Sequence, residues 1–357
     1  MATFAERLLA IIDEGRRTAT YKLALLIALI DCCAEGVSPF GAAPSEIPTR
    51  LLARHVARLY WPQLRPFPAA SGPLDLRQIT NKSATIIRAL QSAFETLRWV
   101  STWESAEELL PPDHVQQVLD VVELTVARYP LVRLQTVDGV PQPFLYDLEW
   151  GEGVTLSRLT ANGGAKVRLR VGAGDQLIRL SPLIRPLVEL HWVRMVAGLN
   201  GLGLMEDDLR KHLFGAERVA FPAALRNELV ELQEGSCFYC SSTLTKASAV
   251  DHFVPWSRWP NDAVENLVIA HASCNSRKSD HVPGPLPLRR WAARLSAYGD
   301  DLAGAAVAAK WRTDRSRSVS LARSLYGHLP AGSLVWNSPQ NVTEANGVEL
   351  LEVLASL

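Results

Sequence analysis

Residues 233–283 read QEGSCFYCSSTLTKASAVDHFVPWSRWPNDAVENLVIAHASCNSRKSDHVP. They contain a C-x2-C pair, Cys237 and Cys240, and, after an insert of 30 residues, an H-x2-C pair, His271 and Cys274. Ligands separated by two residues reach one ion from a tight turn, and a Cys3His set is tetrahedral with no open position. The pattern therefore predicts a structural zinc site that holds the two ends of this segment together.

The insert between the two pairs has the pattern of a β-hairpin followed by a helix. Residues 250–254 alternate and include β-branched side chains, and Pro255 ends the run. A polar and aromatic loop leads to a second apolar run at 267–270, and residues 273–279 begin a helix. We expect this strand, loop, strand and helix to bring four polar residues together: Asp251, His252, Asn266 and Asn275.

In this order and spacing, the segment resembles the HNH endonuclease family. The matching elements are C-x2-C, D-H-x2-P beginning at Asp251, N-L at Asn266, and C-N-x2-K beginning at Cys274. Residues 250–283 are also similar to the HNH nuclease domain of RNA-guided CRISPR effectors. The resemblance covers residues 235–283 and implies a ββα-metal nuclease. Many zinc-stabilised members carry cysteine where this chain has His271, and histidine is an acceptable zinc ligand.

The resemblance implies a role for each polar residue in phosphodiester hydrolysis. Asp251 and Asn275 offer hard oxygen ligands that suit one catalytic Mg²⁺ or Mn²⁺. His252 lies on the opposite face of the strand, because strand side chains alternate, and is the predicted general base. Asn266 is predicted to hold the loop and to orient His252 through a backbone hydrogen bond.

Basic and aromatic residues are the predicted contacts to the nucleic acid. Lys278 and, beside it, Arg277 are the predicted phosphate-binding residues. Trp256 and Trp259 either stack on bases or pack the loop, and packing is the favoured interpretation. Residues 282–330 carry an excess of cations, which form either a surface for the phosphate backbone or a solvated helix face: Arg289, Arg290, Arg294, Lys310, Arg312, Arg315, Arg317 and Arg323.

The whole chain has a globular composition without an overall charge. Of 357 residues, 48% are hydrophobic, and Lys+Arg and Asp+Glu both number 37. Neutrality argues against a non-specific DNA coat protein and leaves room for a local basic groove. The longest apolar run, 23–30, is far below the ~20 residues of a membrane helix. The first residues lack the pattern of a secretory signal, and three of the five cysteines belong to the metal pattern. We therefore expect a cytoplasmic protein without membrane contact.

Apolar periodicity divides the chain into four regions and predicts an α+β fold. Residues 1–129 are predicted to be mostly helical, with helices at 4–14, 21–35, 51–61, 84–99 and 114–129. Residues 130–232 are predicted to combine a small antiparallel sheet (131–136, 144–148, 165–171, 176–180) with helices at 183–198, 207–214 and 223–233. Residues 233–285 are the predicted ββα-metal nuclease core with its zinc clamp, and 286–357 a helical extension.

The sequence therefore predicts a metal-dependent endonuclease that hydrolyses phosphodiester bonds of DNA, with RNA as the other substrate. The alternative is a zinc-stabilised nucleic-acid-binding module without cleavage; a single zinc set and the D-H pair argue against a RING-like interaction module. The helical region is expected to restrain or target the cut, through a protein partner or a second copy of the chain. This architecture is similar to multidomain bacterial HNH proteins that look like restriction or anti-phage defence effectors, and such a likeness does not establish a target.

Overall fold

The computed structural model describes residues 2–13, 19–69, 71–80, 84–137, 139–203, 205–215, 221–338 and 341–357. The chain forms two compact units. Unit 1 comprises Met1–Cys33 and Pro44–Glu217, and unit 2 comprises Ala34–Ala43 and Arg218–Leu357. The predicted boundary at 129/130 falls inside unit 1, and the one at 285/286 falls inside unit 2. Among the described helices, none combines the length and the apolar character that crossing a bilayer requires.

Unit 1 is mostly helical with small antiparallel sheets. Its helices are α1 (Phe4–Asp13), α2 (Tyr21–Glu35, ending in unit 2), α3 (Thr49–Tyr60), α4 (Thr85–Phe94), α5 (Trp103–Leu109), α6 (Pro112–Arg128), α7 (Pro130–Arg133), α8 (Leu156–Thr160), α9 (Ala173–Asn200) and α10 (Glu206–Phe214). Its strands are β1 (Glu46–Pro48), β2 (Phe67–Ala69), β3 (Gly72–Leu74), β4 (Thr136–Val137), β5 (Val140–Pro141), β6 (Tyr146–Asp147) and β7 (Lys166–Leu169). The three-stranded sheet has the order β1-β7-β6, so its first strand comes from outside the predicted 130–232 region.

Helix α2 forms the centre of the unit 1 core. Residues 23–34 are buried, and a helix that is apolar all round must be enclosed by its neighbours. Its one buried acid, Asp31, forms a salt bridge with Arg185 on α9, so the charge is not left unpaired in the core. The predicted helix 21–35 is thus found with the same bounds. The other long N-terminal prediction, helix 4–14, corresponds to α1, and its last residue, 14, lies outside the described residues.

Two predicted strands of unit 1 are wrong. Residues 131–133 lie in α7, and of the predicted strand 131–136 only Thr136 lies in a strand, β4. Residues 176–180 lie inside α9, which begins after Gly172 in the left-handed conformation (φ +74°). Gly172 and Gly174 favoured a turn between two strands in the sequence pattern, and Pro182 stands directly before the predicted helix 183–198. The buried residues of α9 nevertheless follow a helical spacing, and burial of that face outweighs the local signals.

Unit 2 contains the predicted nuclease segment and elements that support it. Its elements are α11 (Ala223–Leu232), β8 (Ser248–His252), β9 (Leu267–His271), α12 (Ala272–Lys278), α13 (Pro285–Ala308), α14 (Arg315–Gly327), β10 (Leu334–Ser338), β11 (Asn341–Glu344) and α15 (Gly347–Ala355). The predicted α+β class is confirmed. The predicted C-terminal helical extension also contains the antiparallel β10–β11 pair, which was not predicted from the sequence.

The β8–β9 hairpin carries the site, and neighbouring side chains fix its position. Asp251 pairs with Val268 and His252 with Leu267 in an antiparallel register. The side-chain amide of Gln233 accepts from the N–H of Ile269 and donates to its C=O, so both backbone groups of Ile269 are hydrogen-bonded on the edge of β9 that does not face β8. Behind the hairpin, the rings of Phe253 and Trp291 stack 4.8 Å apart without exposed surface, which anchors the hairpin to α13.

Candidate active site

One end of the hairpin brings the four predicted zinc ligands together. Cys237 and Cys240 lie in the turn before β8, His271 ends β9, and Cys274 lies in α12. Their ligand atoms all lie within 4.8 Å of one another. Nδ1 of His271 is 3.4 Å from the Cys240 sulfur and 3.9 Å from the Cys274 sulfur. A compact set of three sulfurs and one nitrogen suits zinc in a tetrahedral structural site.

Backbone geometry and a carbonyl group orient these ligands. Ser241 adopts a left-handed conformation (φ +59°), and its N–H donates to the carbonyl of Cys237, which closes the turn that holds both cysteines. Nε2 of His271 lies 3.0 Å from the carbonyl oxygen of Thr243. Because a carbonyl only accepts, Nε2 carries the proton and Nδ1 is free to bind a metal, as in other histidine–metal sites.

The electrostatics of the cluster favour a bound cation. Burial, followed by the charge of Cys237, raises the pKa of Cys274 to about 12. Burial also opposes ionisation of Cys240, but hydrogen bonds from the Ser242 backbone and from neighbouring groups lower the pKa of Cys240 to about 6. The thiols therefore resist becoming thiolates together, and a divalent cation among them supplies the missing positive charge.

At the other end of the hairpin, His252 pairs with an aspartate that was not predicted from the sequence. Nε2 of His252 lies 2.8 Å from Oδ1 of Asp262, and both side chains are half-buried. A carboxylate accepts the Nε2 proton, so Nδ1 is the basic nitrogen; it has no partner among the described residues and is not enclosed. The only sequence signal for Asp262 was its place in a polar loop, ten residues after His252.

Asn266 closes the loop that returns Asp262 to His252. Its side chain is fully buried and accepts from the N–H of Val254 at 2.8 Å. It donates to the carbonyls of Val254 and Asn261, and its own carbonyl accepts from the N–H of Phe253 at 2.7 Å. These bonds join both ends of the loop, which begins directly after His252.

Asp251 has a different environment, in which Lys278 is its main partner. Oδ2 of Asp251 lies 3.2 Å from the Lys278 ammonium and accepts from the Tyr239 hydroxyl at 2.5 Å. Lys278 has no exposed surface and also donates to the carbonyl of His252 at 2.8 Å. Burial lowers the pKa of Lys278, and the charge of Asp251 partly offsets this. The structure thus differs from the predicted phosphate contact of Lys278: here the lysine joins α12 to β8.

Asp251 and Asn275 carry the oxygen atoms that were predicted to bind a divalent cation. Oδ1 of Asp251 has no partner in the described part of the chain and is not enclosed. Asn275 lies half-buried on α12, one turn before Lys278 and therefore on the helix side that meets β8. A carboxylate and an amide oxygen are the ligand types that Mg²⁺ and Mn²⁺ prefer. Arg277, the second predicted phosphate ligand, is exposed.

Most of the predicted cationic surface after the hairpin supports the fold instead. Arg289 pairs with Glu349, Arg317 with Glu35, and Arg323 donates to the carbonyl of Leu354. Arg290 donates to the backbone carbonyls of Phe238 and Tyr239 in the zinc turn. Arg294 is buried, and burial lowers its pKa to about 10. Of these eight cations, three are exposed and have no side-chain partner among the described residues: Lys310, Arg312 and Arg315.

Comparison with known families agrees with this geometry. Residues 237–284 match the family model described as HNH endonuclease. This chain carries an HNH endonuclease domain. Residues 2–213, more than half of the chain, match the model described as Domain of unknown function (DUF8808), and the chain belongs to that family. The HNH domain thus joins a DUF8808 region in one multidomain protein. No curated protein and no solved structure gave a match.

Proposed function

We propose that the chain is a cytoplasmic, metal-dependent endonuclease that hydrolyses phosphodiester bonds of DNA through His252. The observation that carries the proposal is the His252–Asp262 pair: a histidine held by a carboxylate at Nε2, with an open Nδ1, beside a carboxylate and an amide that suit a divalent ion. RNA shares the scissile bond and is the other substrate to be measured.

The chain's own residues would perform the proton transfer. Nδ1 of His252 takes a proton from a water molecule, whose oxygen bonds to phosphorus while the bond from phosphorus to the 3′ oxygen breaks. Asp262 stabilises the resulting imidazolium, and Asn266 keeps the loop that carries Asp262 in place. Asp251 and Asn275 would hold Mg²⁺ or Mn²⁺, which when bound stabilises charge on the phosphate and the leaving oxygen. Arg277 is the proposed contact to a flanking phosphate.

A second function, nucleic-acid binding without cleavage, is favoured by one observation. The Lys278 ammonium already neutralises Asp251 at Oδ2, so the ion pair competes with a metal for the carboxylate. The open Oδ1 and the His252–Asp262 pair are not needed for binding alone, and they favour catalysis.

Purified protein incubated with supercoiled plasmid and Mg²⁺ or Mn²⁺ tests the proposal. The wild type should nick the plasmid, and His252→Ala should be slower by about 10²–10⁴-fold, because a positioned general base contributes that factor. His281→Ala is the matched control, since among the described residues that histidine binds only the carbonyl of Lys278. Equal nicking by wild type and His252→Ala would refute the assignment, and binding without nicking by the wild type would establish the second function.

We extend the proposal to restriction or phage defence. The HNH domain is joined to a large DUF8808 region, an arrangement similar to multidomain bacterial effectors that couple targeting to cutting. In this proposal the DUF8808 region, with a protein partner or a second copy of the chain, restrains or targets the cut. The same wild-type and His252→Ala pair, expressed in bacteria challenged with phage, measures this role.

A further inference from the structure

Four aromatic rings form a continuous row through the proposed catalytic histidine. The His252 ring contacts Trp256 at a centroid distance of 5.0 Å and Phe221 at 5.9 Å. The row continues from Phe221 to Trp311 at 5.4 Å. Neighbouring ring planes are tilted by 53°, 55° and 52°. All four residues are half-buried, so each keeps part of its surface in water.

Nearby rings that only pack are enclosed to a greater extent. Trp259, three residues after Trp256 in the same loop, is 5% exposed, as expected for a residue that packs the loop. Phe253, which follows His252, has no exposed surface and stacks on Trp291. Packing therefore accounts for Trp259 and Phe253, whereas the row around His252 leaves ring surface uncovered beside the open Nδ1. A group of partly uncovered apolar residues at a catalytic position indicates a binding surface.

The row is fixed in place and has cations beside it. Nε1 of Trp311 donates to the carbonyl of Asp262 at 2.6 Å, which ties this ring to the residue that orients His252. Arg258 follows Trp256 by two residues, and Arg312 follows Trp311 directly. Both arginines are exposed, and neither has an ion-pair partner within the described residues.

Flat ring faces with neighbouring cations match the chemistry of an unpaired nucleic-acid strand. Successive bases of such a strand offer free faces for stacking on aromatic side chains, and their phosphates bind to Lys and Arg. In an intact duplex the base faces already stack on one another, so the rings could not reach them unless a nucleotide left the helix.

We propose that Trp256, Phe221 and Trp311 form a stacking subsite for the bases of an unpaired strand, with Arg258 and Arg312 on its phosphates. This inference rests on the proposed function, because His252 places the cut within the row. It names the substrate class of the HNH domain: a nucleic acid that is single-stranded where it is cut, such as a displaced strand, a flap or a bulge.

Binding measured without cleavage tests the subsite separately from the nuclease. The full chain is titrated into fluorescein-labelled oligo(dT), and separately into a labelled duplex, with no added divalent cation, and anisotropy is recorded. The wild type should bind oligo(dT) more tightly than the duplex. Trp256→Leu, which keeps apolar bulk but removes the ring, should weaken oligo(dT) binding by about 5- to 150-fold, the range expected for one lost base stack. Trp256→Phe, which keeps a ring, should retain most of the affinity.

Matched variants make the result decisive. Trp99→Ala removes a tryptophan that is 74% exposed in unit 1 and should leave oligo(dT) binding unchanged. Trp311→Leu repeats the test from a different segment, so the measurement does not depend on how one variant folds; zinc content and melting temperature show that each variant is intact. The subsite is overturned, and the nuclease proposal stands, if plasmid nicking depends on His252 while the wild type binds oligo(dT) no more tightly than duplex and Trp256→Leu binds oligo(dT) as tightly as the wild type. Loss of stacking affinity without any nicking overturns the nuclease alone.

Discussion

The two ends of the β8–β9 hairpin share one strand pairing but are stabilised in different ways. At one end, where Ser248 pairs with His271, the four predicted metal ligands lie within 4.8 Å of one another; Cys237 and Cys274 are buried, whereas Cys240 is exposed. At the other end, where His252 pairs with Leu267, buried polar groups such as Asn266 and Lys278 hold the chain through hydrogen bonds. One end therefore depends on an ion and the other on buried hydrogen bonds, so substitutions at the two ends should destabilise the hairpin in different ways.

The largest effect is expected at the metal end. Cys237→Ala removes a buried ligand and should abolish zinc binding and loosen residues 237–278, because zinc contributes roughly 10–16 kcal/mol of apparent free energy in comparable peptide modules. Metal content by mass spectrometry and limited proteolysis measure this. Cys33→Ala, at a buried cysteine outside the cluster, is the matched control and should keep its zinc. Retained zinc and an unchanged protease pattern in Cys237→Ala would show that the cluster is not a metal site.

A smaller effect on stability is expected at the end of the hairpin that carries His252, the proposed catalytic end. Asn266→Ala leaves the N–H of Val254 and two carbonyls without their buried partner, and each such group costs about 1–3 kcal/mol. For three such groups we expect a total loss of at least about 3 kcal/mol in the free energy of unfolding, measured by urea titration.

Asn275→Ala is the matched control for Asn266→Ala. Its side chain is half-buried on α12, so we expect the variant to lose less than about 1 kcal/mol of stability while plasmid nicking is lost. Equal destabilisation by the two substitutions would mean that Asn266 does not hold the loop in the way the geometry indicates.

The difference between the two ends also explains what the sequence could predict. The metal end depends on ligand spacing, which is local, so Cys237, Cys240, His271 and Cys274 could be selected directly. The hairpin and α12 were likewise predicted within two residues of their observed ends, because alternation and Pro255 are local signals.

Burial and contacts between distant residues were not visible in the sequence. In the C-N-x2-K box, Lys278 was predicted to bind phosphate. Its ion pair with Asp251 joins residues that are 27 positions apart, so the sequence pattern did not predict it. The same limit applies in unit 1, where 176–180 was predicted as a strand because the packing of α9 could not be seen locally. Asp262 was missed because a single loop aspartate has no pattern that distinguishes it from a solvated one.

The smallest effect, and the one that isolates chemistry from folding, is expected from Asp262. As a positioning residue, Asp262 acts only through His252, so Asp262→Ala should lower kcat while KM, zinc content and melting temperature stay near those of the wild type. A hydrogen bond to a charged group contributes about 1.5–3 kcal/mol, which corresponds to a decrease of about 10- to 150-fold. Asp262→Asn keeps an acceptor oxygen for Nε2 and should recover part of this loss, whereas Asp301→Ala, which removes an exposed carboxylate from α13, should change nothing. If Asp262→Ala and Asp262→Asn cut as fast as the wild type, the carboxylate does not orient the base, and the catalytic end relies on the Asn266 hydrogen bonds alone.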